Sequence, residues 1–508
     1  MGIATIISRL LGLVRDTLIG HILGAKWISD AYYVAYRIPN VMRQLLGEGA
    51  LSSAFIPVFC KIHIDNGKKD AFKLAQALLF WLYILLMALS IFGMIFSPYL
   101  VKMFTFSSTF EEGPVQIAVT LTRIMFPFFI FIGLAAITMA ILNSLDHFFI
   151  PALAPATFNI VLIAAALAAP YFSDNPIVKV KVLAVGVLIG GFGQFVVMIP
   201  SLLSEKFPMK VVYSHDGLKK ILKMMIPATI GQSVVQVTLV VNTMLGWLIG
   251  EGAITALNYG NRLMNFPLGV LGVSISQTAV PTLSRQIAQN DMVELKKTLN
   301  YLVRIIGFVM IPASAGLMVL STPIIRLLFQ HGQFDVIATI KTSNCLFYFA
   351  TGLSFYTLVK VLAPIFYAFS DTKTPVIAAV ISMICNIIIN LILMKPMGES
   401  GLALSTAITS FINISVLFYF LKKRIGNLGL FNTIPSLIKI LFCSSIMALA
   451  TYFVADYFNP ATTLILRVSQ VLTGVSAGII IYFSLTALLG LEEYTQAMDM
   501  IKKRLTKK

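Results

Sequence analysis

The sequence is poor in charged residues and in the side chains that most often carry catalysis or bind metals. Only 12% of its 508 residues are Asp, Glu, Lys or Arg, whereas soluble domains contain about 25%. The four cysteines and five histidines are scattered, without disulfide or metal-ligand spacing. No Asp-rich motif, paired histidines or nucleotide-binding glycine loop occurs. These absences argue against a soluble enzyme, a membrane enzyme acting on polyprenyl phosphates, and a pump driven by ATP.

Apolar residues make up 58% of the chain and fall in long runs. A membrane-spanning helix needs about 20 of them. The first run contains Arg9 and Arg15, so it does not resemble a cleavable signal peptide. We predict an all-α polytopic membrane protein with fourteen spans. These cover roughly 2–24, 30–60, 74–104, 114–142, 150–170, 180–203, 220–249, 253–284, 298–329, 335–368, 375–395, 400–421, 433–456 and 462–490.

The lysines and arginines between these spans indicate an orientation. On one side, the outer side, the loops hold only Lys26, Lys179, Lys181 and Lys395, whereas the other loops and the tail are strongly basic. Positive loops stay in the cytoplasm, so we expect both termini there, in a bacterial inner membrane. The net charge of +17 is explained by these loops, and we expect no nucleic-acid partner.

Two halves of the sequence resemble each other. The segment from Ala31 to Ile62 is similar to the segment from Thr255 to Ile287, with Pro57 matching Pro281 at an offset of 224. Further along, Asp146 before Pro151 resembles Asp371 before Pro375. Each repeat holds six predicted spans, so the halves should share one direction across the membrane. We therefore expect lobes at 1–210 and 211–425, followed by two extra C-terminal helices at 426–508.

The first predicted helices carry charge at a depth where charge is costly. A charged side chain in the bilayer centre costs at least about 2.5 kcal/mol, so such residues need water, a partner or a charged ligand. Arginine binds phosphate oxygens in a bidentate manner. The candidate ligands of an anionic head group are Arg9, Arg15, Asp30, Arg37, Arg43, Glu48, Arg262 and Lys360.

Several of these residues have a structural alternative. Intramembrane salt bridges to Asp16, Asp30 or Glu48 explain Arg15 and Arg37 equally well, whereas Arg9, Arg43 and Arg262 outnumber the remaining acids. Lys360 can equally pack against a carbonyl.

A coupling cation is a weaker hypothesis. Asn386 and Asn390 lie four residues apart on one predicted span, and they could bind a monovalent cation together with Asn242 or Thr406. Hydrogen bonding between helices is the favoured explanation. We expect no other cofactor and no metal site.

Four ordered segments resemble the MurJ (MviN) lipid II flippases of bacteria, which belong to the multidrug/oligosaccharidyl-lipid/polysaccharide exporter superfamily. They are SRLLGLVRD, DAYYVAYRIPNVMRQLLGEGALSSAFIPVF, NRLMNFPLGVLGVSISQTAVPTLS and LVKVLAPIFYAFSDTKTPV. The resemblance implies fourteen helices, a central cationic cavity, and a groove of the last two helices for a polyprenyl tail. It places the essential arginines on Arg9, Arg15, Arg43 and Arg262, and the acidic position on Asp30.

The sequence departs from that pattern at four positions. Arg37 stands where the family often has Lys, Gln44 where many members have a second Arg, Asn261 where many have Asp, and Asn265 where many have Glu. The resemblance implies that lipid II and membrane lipids are partners. We also expect a monomer, with peptidoglycan-synthesis proteins as further partners. The alternative function is export of another polyprenyl-linked oligosaccharide or of a drug.

Overall fold

The computed structural model describes residues 2–45, 50–106, 113–208, 210–496 and 498, and within these ranges the regular structure is entirely helical. The chain separates into two units, Met1–Thr255 with His331–Asp335, and Ala256–Gln330 with Val336–Lys508.

The first unit contains eleven of the described helices. They are α1 (Gly2–Leu23), α2 (Trp27–Arg43), α3 (Ala50–Asn66), α4 (Lys68–Ile95), α5 (Ser97–Thr105), α6 (Gly113–Met125), α7 (Phe128–Ser144), α8 (Phe149–Phe172), α9 (Pro176–Val196), α10 (Ile199–Ser204) and α11 (Gly217–Ile249).

Helix α12 begins at the end of the first unit, and the remaining helices belong to the second. They are α12 (Ala253–Pro267), a π-helical turn (Leu268–Gly272), α13 (Val273–Ala288), α14 (Met292–Val319), α15 (Ser321–Leu328), α16 (Val336–Ala350), α17 (Leu353–Ala368), α18 (Lys373–Met397), α19 (Glu399–Ile425), a 3₁₀ turn (Leu430–Thr433), α20 (Ile434–Asp456) and α21 (Leu464–Leu488).

Local signals explain where several helices begin. The Asn175 side chain accepts a hydrogen bond from the N–H of Ile177, and Pro176 occupies the first turn of α9. Asp291 accepts from the N–H of Glu294 at the start of α14. These side chains satisfy amide groups that have no partner within the helix, and proline is tolerated there because it has no N–H to lose.

Apolar packing holds each unit together. In the first unit, Phe128, Phe158 and Leu162 belong to one buried cluster. Gly191 of α9 faces the Phe128 ring, and a Cβ atom at Gly191 would lie 2.4 Å from it, so glycine permits the close approach. In the second unit, Phe308 of α14 packs with Ile440 and Tyr482 of the last two helices.

The described helices include nine that are long and apolar enough to cross a membrane, and eleven if two bent pairs are counted. The bends are 42° between α6 and α7 and 46° between α16 and α17. These eleven correspond to eleven of the fourteen predicted spans, which confirms an all-helical protein with many spans. The other three predicted spans correspond to α1, α2 with α3, and α11. They do not meet the criterion within the described residues, so the number fourteen stays a prediction.

The predicted lobe boundary follows the sequence repeat, whereas the units follow packing. Helix α11 lies after the predicted boundary at residue 210, yet it packs on α3 and α5 within the first unit. The lobe limits therefore stay a prediction.

Candidate functional site

The two arginines of α1 differ in how they are held. Arg9 is half-buried, and no hydrogen bond or ion pair to its side chain occurs among the described residues. Arg15 is fixed on several sides: its Nε and Nη2 donate to Asp16 Oδ1 at 2.9 and 2.6 Å, and its Nη1 donates to Asn159 Oδ1 at 3.0 Å. This is the arrangement that the salt-bridge alternative predicts for Arg15.

An aromatic ring lies beside the Arg15 guanidinium, and further rings pack on and against helix α2. Its Cζ lies 5.9 Å from the centre of the Phe158 ring. On α2, Tyr32 and Tyr36 stack with ring centres 6.5 Å apart, and Phe128 lies 6.1 Å from Tyr36. The flat, delocalised guanidinium can favourably contact such faces. Arg15 thus has a fixed orientation in a largely apolar setting.

Helix α2 carries the next two arginines, Arg37 and Arg43, both half-buried. The Nε of Arg43 donates to Asn40 Oδ1 at 2.8 Å, which orients its planar fork. Beside it, Gln44 Oε1 accepts from Gln236 Nε2 of α11 at 2.6 Å. The neutral residue at this position of the family pattern is thus paired with another amide. Glu48 lies outside the described residues.

Asp30 stabilises the beginning of another helix. Its carboxylate is 3% exposed and accepts hydrogen bonds from the N–H of Gly252 at 2.6 Å and from the N–H and hydroxyl of Thr255 at 2.9 and 2.7 Å. These amides lie at the N-terminus of α12, where they have no partner within the helix and where the helix dipole favours an anion. Asp30 is therefore a helix cap supplied from a distant part of the chain.

The start of α2 is in turn capped by a carboxylate that lies next to α12. Glu251, directly before α12, accepts from the N–H of Trp27 at the start of α2 at 3.1 Å. Ser29 and Thr255 bring their hydroxyl oxygens within 2.8 Å. We call Trp27, Ser29, Asp30, Glu251, Gly252 and Thr255 the reciprocal cap, because each helix supplies an acceptor for the other helix's N-terminus.

Sequence reasoning missed the reciprocal cap, although a signal exists. Gly252 has φ of +80°, and a Cβ atom there would lie 2.4 Å from the carbonyl oxygen of Ala25, so glycine is needed on both counts. Glycine is one of the residues accepted at a helix N-cap, so Gly252 directly before the helical segment is compatible with a helix start. The sequence does not tell which distant carboxylate caps that start.

The second unit holds the other predicted head-group ligands. Arg262 on α12 and Lys360 on α17 are both exposed. The backbone carbonyl of Lys360 accepts from the Ser276 hydroxyl at 2.9 Å. Asn265 Nδ2 donates to the Asn261 carbonyl and side-chain oxygens at 2.8 and 2.9 Å. The two neutral departures on α12 thus pair with each other.

Three of the predicted cation ligands, Asn386, Asn390 and Thr406, form hydrogen bonds within or between α18 and α19. Asn386 Nδ2 donates to the Ser405 hydroxyl at 3.1 Å, and Asn390 Nδ2 donates to Asn386 Oδ1 at 2.9 Å. The Thr406 hydroxyl donates to the carbonyl of Leu402 within its own helix. Asn242 is half-buried on α11. Asn386 thus forms the kind of bond between helices that the favoured explanation describes, whereas Asn390 and Thr406 bond within their own helices; the coupling cation stays a prediction.

Comparison with known proteins assigns the family. The model of the family described as "Lipid II flippase MurJ" matches residues 19–489. A lipid II flippase MurJ of Burkholderia cenocepacia is 35% identical over 428 residues, which is 83% of this chain and 82% of that protein. A probable lipid II flippase MurJ of Buchnera aphidicola is 34% identical, over 91% of this chain and 89% of that one.

Solved structures agree with this assignment. A lipid II flippase MurJ in an inward closed conformation superposes with a TM-score of 0.80 at 30% identity, covering 96% of this chain and 99% of that one. A multidrug resistance MATE transporter of the MOP superfamily in an inward-facing conformation shares the fold, with a TM-score of 0.70 at 14% identity, covering 83% of this chain and 95% of that one. These comparisons confirm the sequence resemblance. They also confirm that the protein is a transporter rather than an enzyme. The chain is a multi-pass membrane protein that belongs to the lipid II flippase MurJ family.

Proposed function

We propose that this protein moves lipid II, the diphosphate-linked disaccharide-pentapeptide precursor of peptidoglycan, from the inner to the outer leaflet by alternating access. Family membership along nearly the whole chain carries the proposal. The chemistry of the first unit supports it, because arginines among apolar helices suit a passenger that brings its own negative charge.

We assign the diphosphate to the arginines. A guanidinium fork binds two phosphate oxygens at once, and Arg15 is already oriented by Asp16 and Asn159. Arg9 has no partner among the described residues, so its binding to a phosphate breaks no existing bond. The assignments of Arg37, Arg43, Glu48, Arg262 and Lys360 rest on the sequence.

The membrane potential can supply the driving force. Each negative charge moved outward gains about 2.3 kcal/mol per 100 mV of inside-negative potential. A diphosphate therefore favours export without ATP, and a coupling cation remains an additional hypothesis.

We infer that the reciprocal cap stabilises one of the states of the alternating-access cycle. Its buried carboxylate and amides satisfy one another, and separating them leaves each group without its partner. We propose that a transport cycle breaks and remakes this contact. The orientation with both termini in the cytoplasm of a bacterial cell, the monomeric state and contacts to peptidoglycan-synthesis proteins are part of the same proposal.

Transport of lipid II in proteoliposomes tests this function. With an imposed inside-negative potential, we expect Arg9→Ala, Arg43→Ala and Arg262→Ala each to lower the flipping rate at least tenfold, because each removes a charge-assisted phosphate contact. Arg285→Ala, at an exposed site near the end of α13, is the matched control and should keep the rate. Full-rate transport by the three variants would contradict the arginine assignment.

A competition assay tests the passenger. Lipid II should compete with labelled lipid II, whereas a polyprenyl-linked O-antigen precursor or an organic cation should not. Equal competition by either would favour the alternative exporter function instead.

A further inference from the structure

A polar cavity of about 450 Å³ lies in the second unit, between the first turns of α14 and the connection from α19 to α20. Its described lining includes Lys296, Lys297, Asn300, Arg304, Asn427 and Asn432. The volume falls within the range of small-ligand sites. None of these residues belongs to the arginine set assigned to the diphosphate.

The walls of this cavity are fixed by helix geometry and by hydrogen bonds. Lys296, Asn300 and Arg304 are four residues apart in sequence, so they share one face of α14. Asn300 Nδ2 donates to the carbonyl of Leu428 at 2.7 Å, which fastens the opposite loop to the helix. Gly429 in that loop has φ of +69°, a conformation that favours glycine. The cavity is therefore formed by the fold itself.

The charges around the cavity are unevenly paired. Arg304 contacts Glu492 at 2.9 Å and Glu493 at 3.3 Å, and Lys297 contacts Glu294 at 3.3 Å. Lys296 has no carboxylate within ion-pair distance among the described residues.

Amide groups add donors beside this ammonium group. Asn427 Oδ1 accepts from the N–H of Gly429 at 3.1 Å, which leaves the amide N–H groups of Asn427 to donate elsewhere. Lys296 thus supplies one positive charge, and the amide groups supply neutral hydrogen-bond donors. This combination suits a phosphate group that carries one negative charge.

Apolar side chains next to the cavity indicate where such a phosphate comes from. Phe431, Ile434 and Ile438 are 80%, 43% and 60% exposed, at the start of a helix that is long and apolar enough to span the membrane. Helix α14, which forms the other wall, is also such a helix. The cavity therefore lies at the ends of two spans, at the depth of lipid head groups. A soluble phosphate compound makes no use of the exposed apolar side chains, whereas an acyl chain does.

We propose that this cavity binds the phosphate of an anionic phospholipid, with Lys296 as its main charge and the apolar start of α20 against an acyl chain. Basic pockets at the ends of membrane helices are suited to such head groups. The site is separate from the transport site and does not depend on the proposed passenger.

Binding of defined lipids to the purified full-length protein tests the proposal. We expect phosphatidylglycerol to bind more tightly than phosphatidylcholine, and Lys296→Met to weaken phosphatidylglycerol binding about fivefold, the effect of one surface cation. Lys296→Arg should keep the affinity, because the charge remains. Lys220→Met, at an exposed lysine near the start of α11, is the control and should have no effect.

Three results would overturn the proposal. The first is equal affinity of Lys296→Met and the unaltered protein for phosphatidylglycerol. The second is no preference for phosphatidylglycerol over phosphatidylcholine. The third is displacement of the lipid by millimolar inorganic phosphate, which would make the cavity a site for soluble anions. If Lys296→Met lowers the unfolding temperature of the protein, the binding of Lys296→Gln is measured in its place.

Discussion

The loop after α7 in the first unit and the loop after α17 in the second have the same backbone but place the carboxylate of their polar contact on opposite partners. Each helix ends in a residue with left-handed backbone, Asp146 with φ of 63° and Ser370 with φ of 60°. The following residue, His147 or Asp371, donates its N–H to the carbonyl five residues before it, at 2.9 and 2.8 Å. This is a helix-ending motif that satisfies the last carbonyls.

The side chain at the second position forms a polar contact with a distant side chain in both loops. His147 Nε2 lies 2.5 Å from Glu205 at the end of α10, and Lys68 contacts the same carboxylate. In the second unit, Asp371 accepts from Arg424 at the end of α19 at 3.1 Å. The repeat has thus kept the backbone and the position of a contact, while the carboxylate has moved from the partner of the loop residue to the loop residue itself.

The comparison also corrects the sequence match between these loops. The sequence pairs Asp146 with Asp371, but the backbone pairs Asp146 with Ser370, at the offset of 224 that also relates Pro151 to Pro375. Each segment contains an Asp, and aligning these two residues shifted the sequence match by one position.

The two carboxylates titrate at lower pH than usual, for different reasons. Hydrogen bonds from Lys68 and His147 lower the pKa of Glu205. At Asp371, burial raises the pKa, but hydrogen bonds from Thr374 and the charge of Arg424 outweigh it and bring the pKa below its usual value. Asp371 therefore also caps α18, whereas Glu205 is held by the side chains of Lys68 and His147.

Reversing the charge of Arg424 should have the largest effect. Arg424→Glu places a carboxylate beside Asp371, so the bond is lost and repulsion replaces it. We expect the free energy of unfolding to fall by about 1–2 kcal/mol, seen as a lower unfolding temperature in detergent. Lys423→Glu makes the same charge change at the exposed neighbour and should have little effect. Equal effects would show that the second pair is not a specific contact.

Neutralising the carboxylate of the first pair should have a smaller, pH-dependent effect. We expect Glu205→Gln to cost about 0.5–1 kcal/mol at pH 7, since exposed ion pairs contribute little. A carboxyl with a lowered pKa stabilises the fold above its unfolded pKa, and loses this contribution as the pH falls through the folded value. The difference in unfolding temperature should therefore vanish in the acid range below about pH 4. A difference that is constant from pH 7 to pH 3 would rule out the ionic explanation, and Asp174→Asn is the exposed control.

Transplanting one pair into the other loop tests whether the positions are equivalent. In a Lys68→Met background, which removes a cation close to the Glu205 position, His147→Asp combined with Glu205→Arg rebuilds the polarity of the second unit. A double-mutant cycle should give a favourable coupling of about 0.3–0.5 kcal/mol. Zero coupling would mean that the two loops place their side chains differently.

Most of the fold could be predicted from the sequence, because long apolar runs predict the spans and eleven of these are found among the described residues. Helix α1 shows where this signal is weakest. Helix α1 carries Arg9, Arg15 and Asp16, and its charge removes the very signal that identifies a span. The candidate site is predictable only as a set of residue types.

The partners of those residues depend on contacts between distant segments. The sequence identified Asp30 as an acid beside arginines, yet the structure places it on the amides of Gly252 and Thr255. For Arg15, the adjacent Asp16 was visible in the sequence, whereas Asn159 lies 144 residues away. Hydrophobic periodicity predicts which face of a helix is buried, but it does not predict which other helix packs against that face.

The reciprocal cap links any opening of this contact to water. While α2 and α12 lie together, the buried Asp30 carboxylate and the amides of Gly252 and Thr255 satisfy one another without solvent. Once they part, every one of these groups must be hydrated, because a bare carboxylate or amide in hydrocarbon costs several kcal/mol. In the proposed transport cycle, separation of the two helix ends therefore requires water to enter the contact as they part.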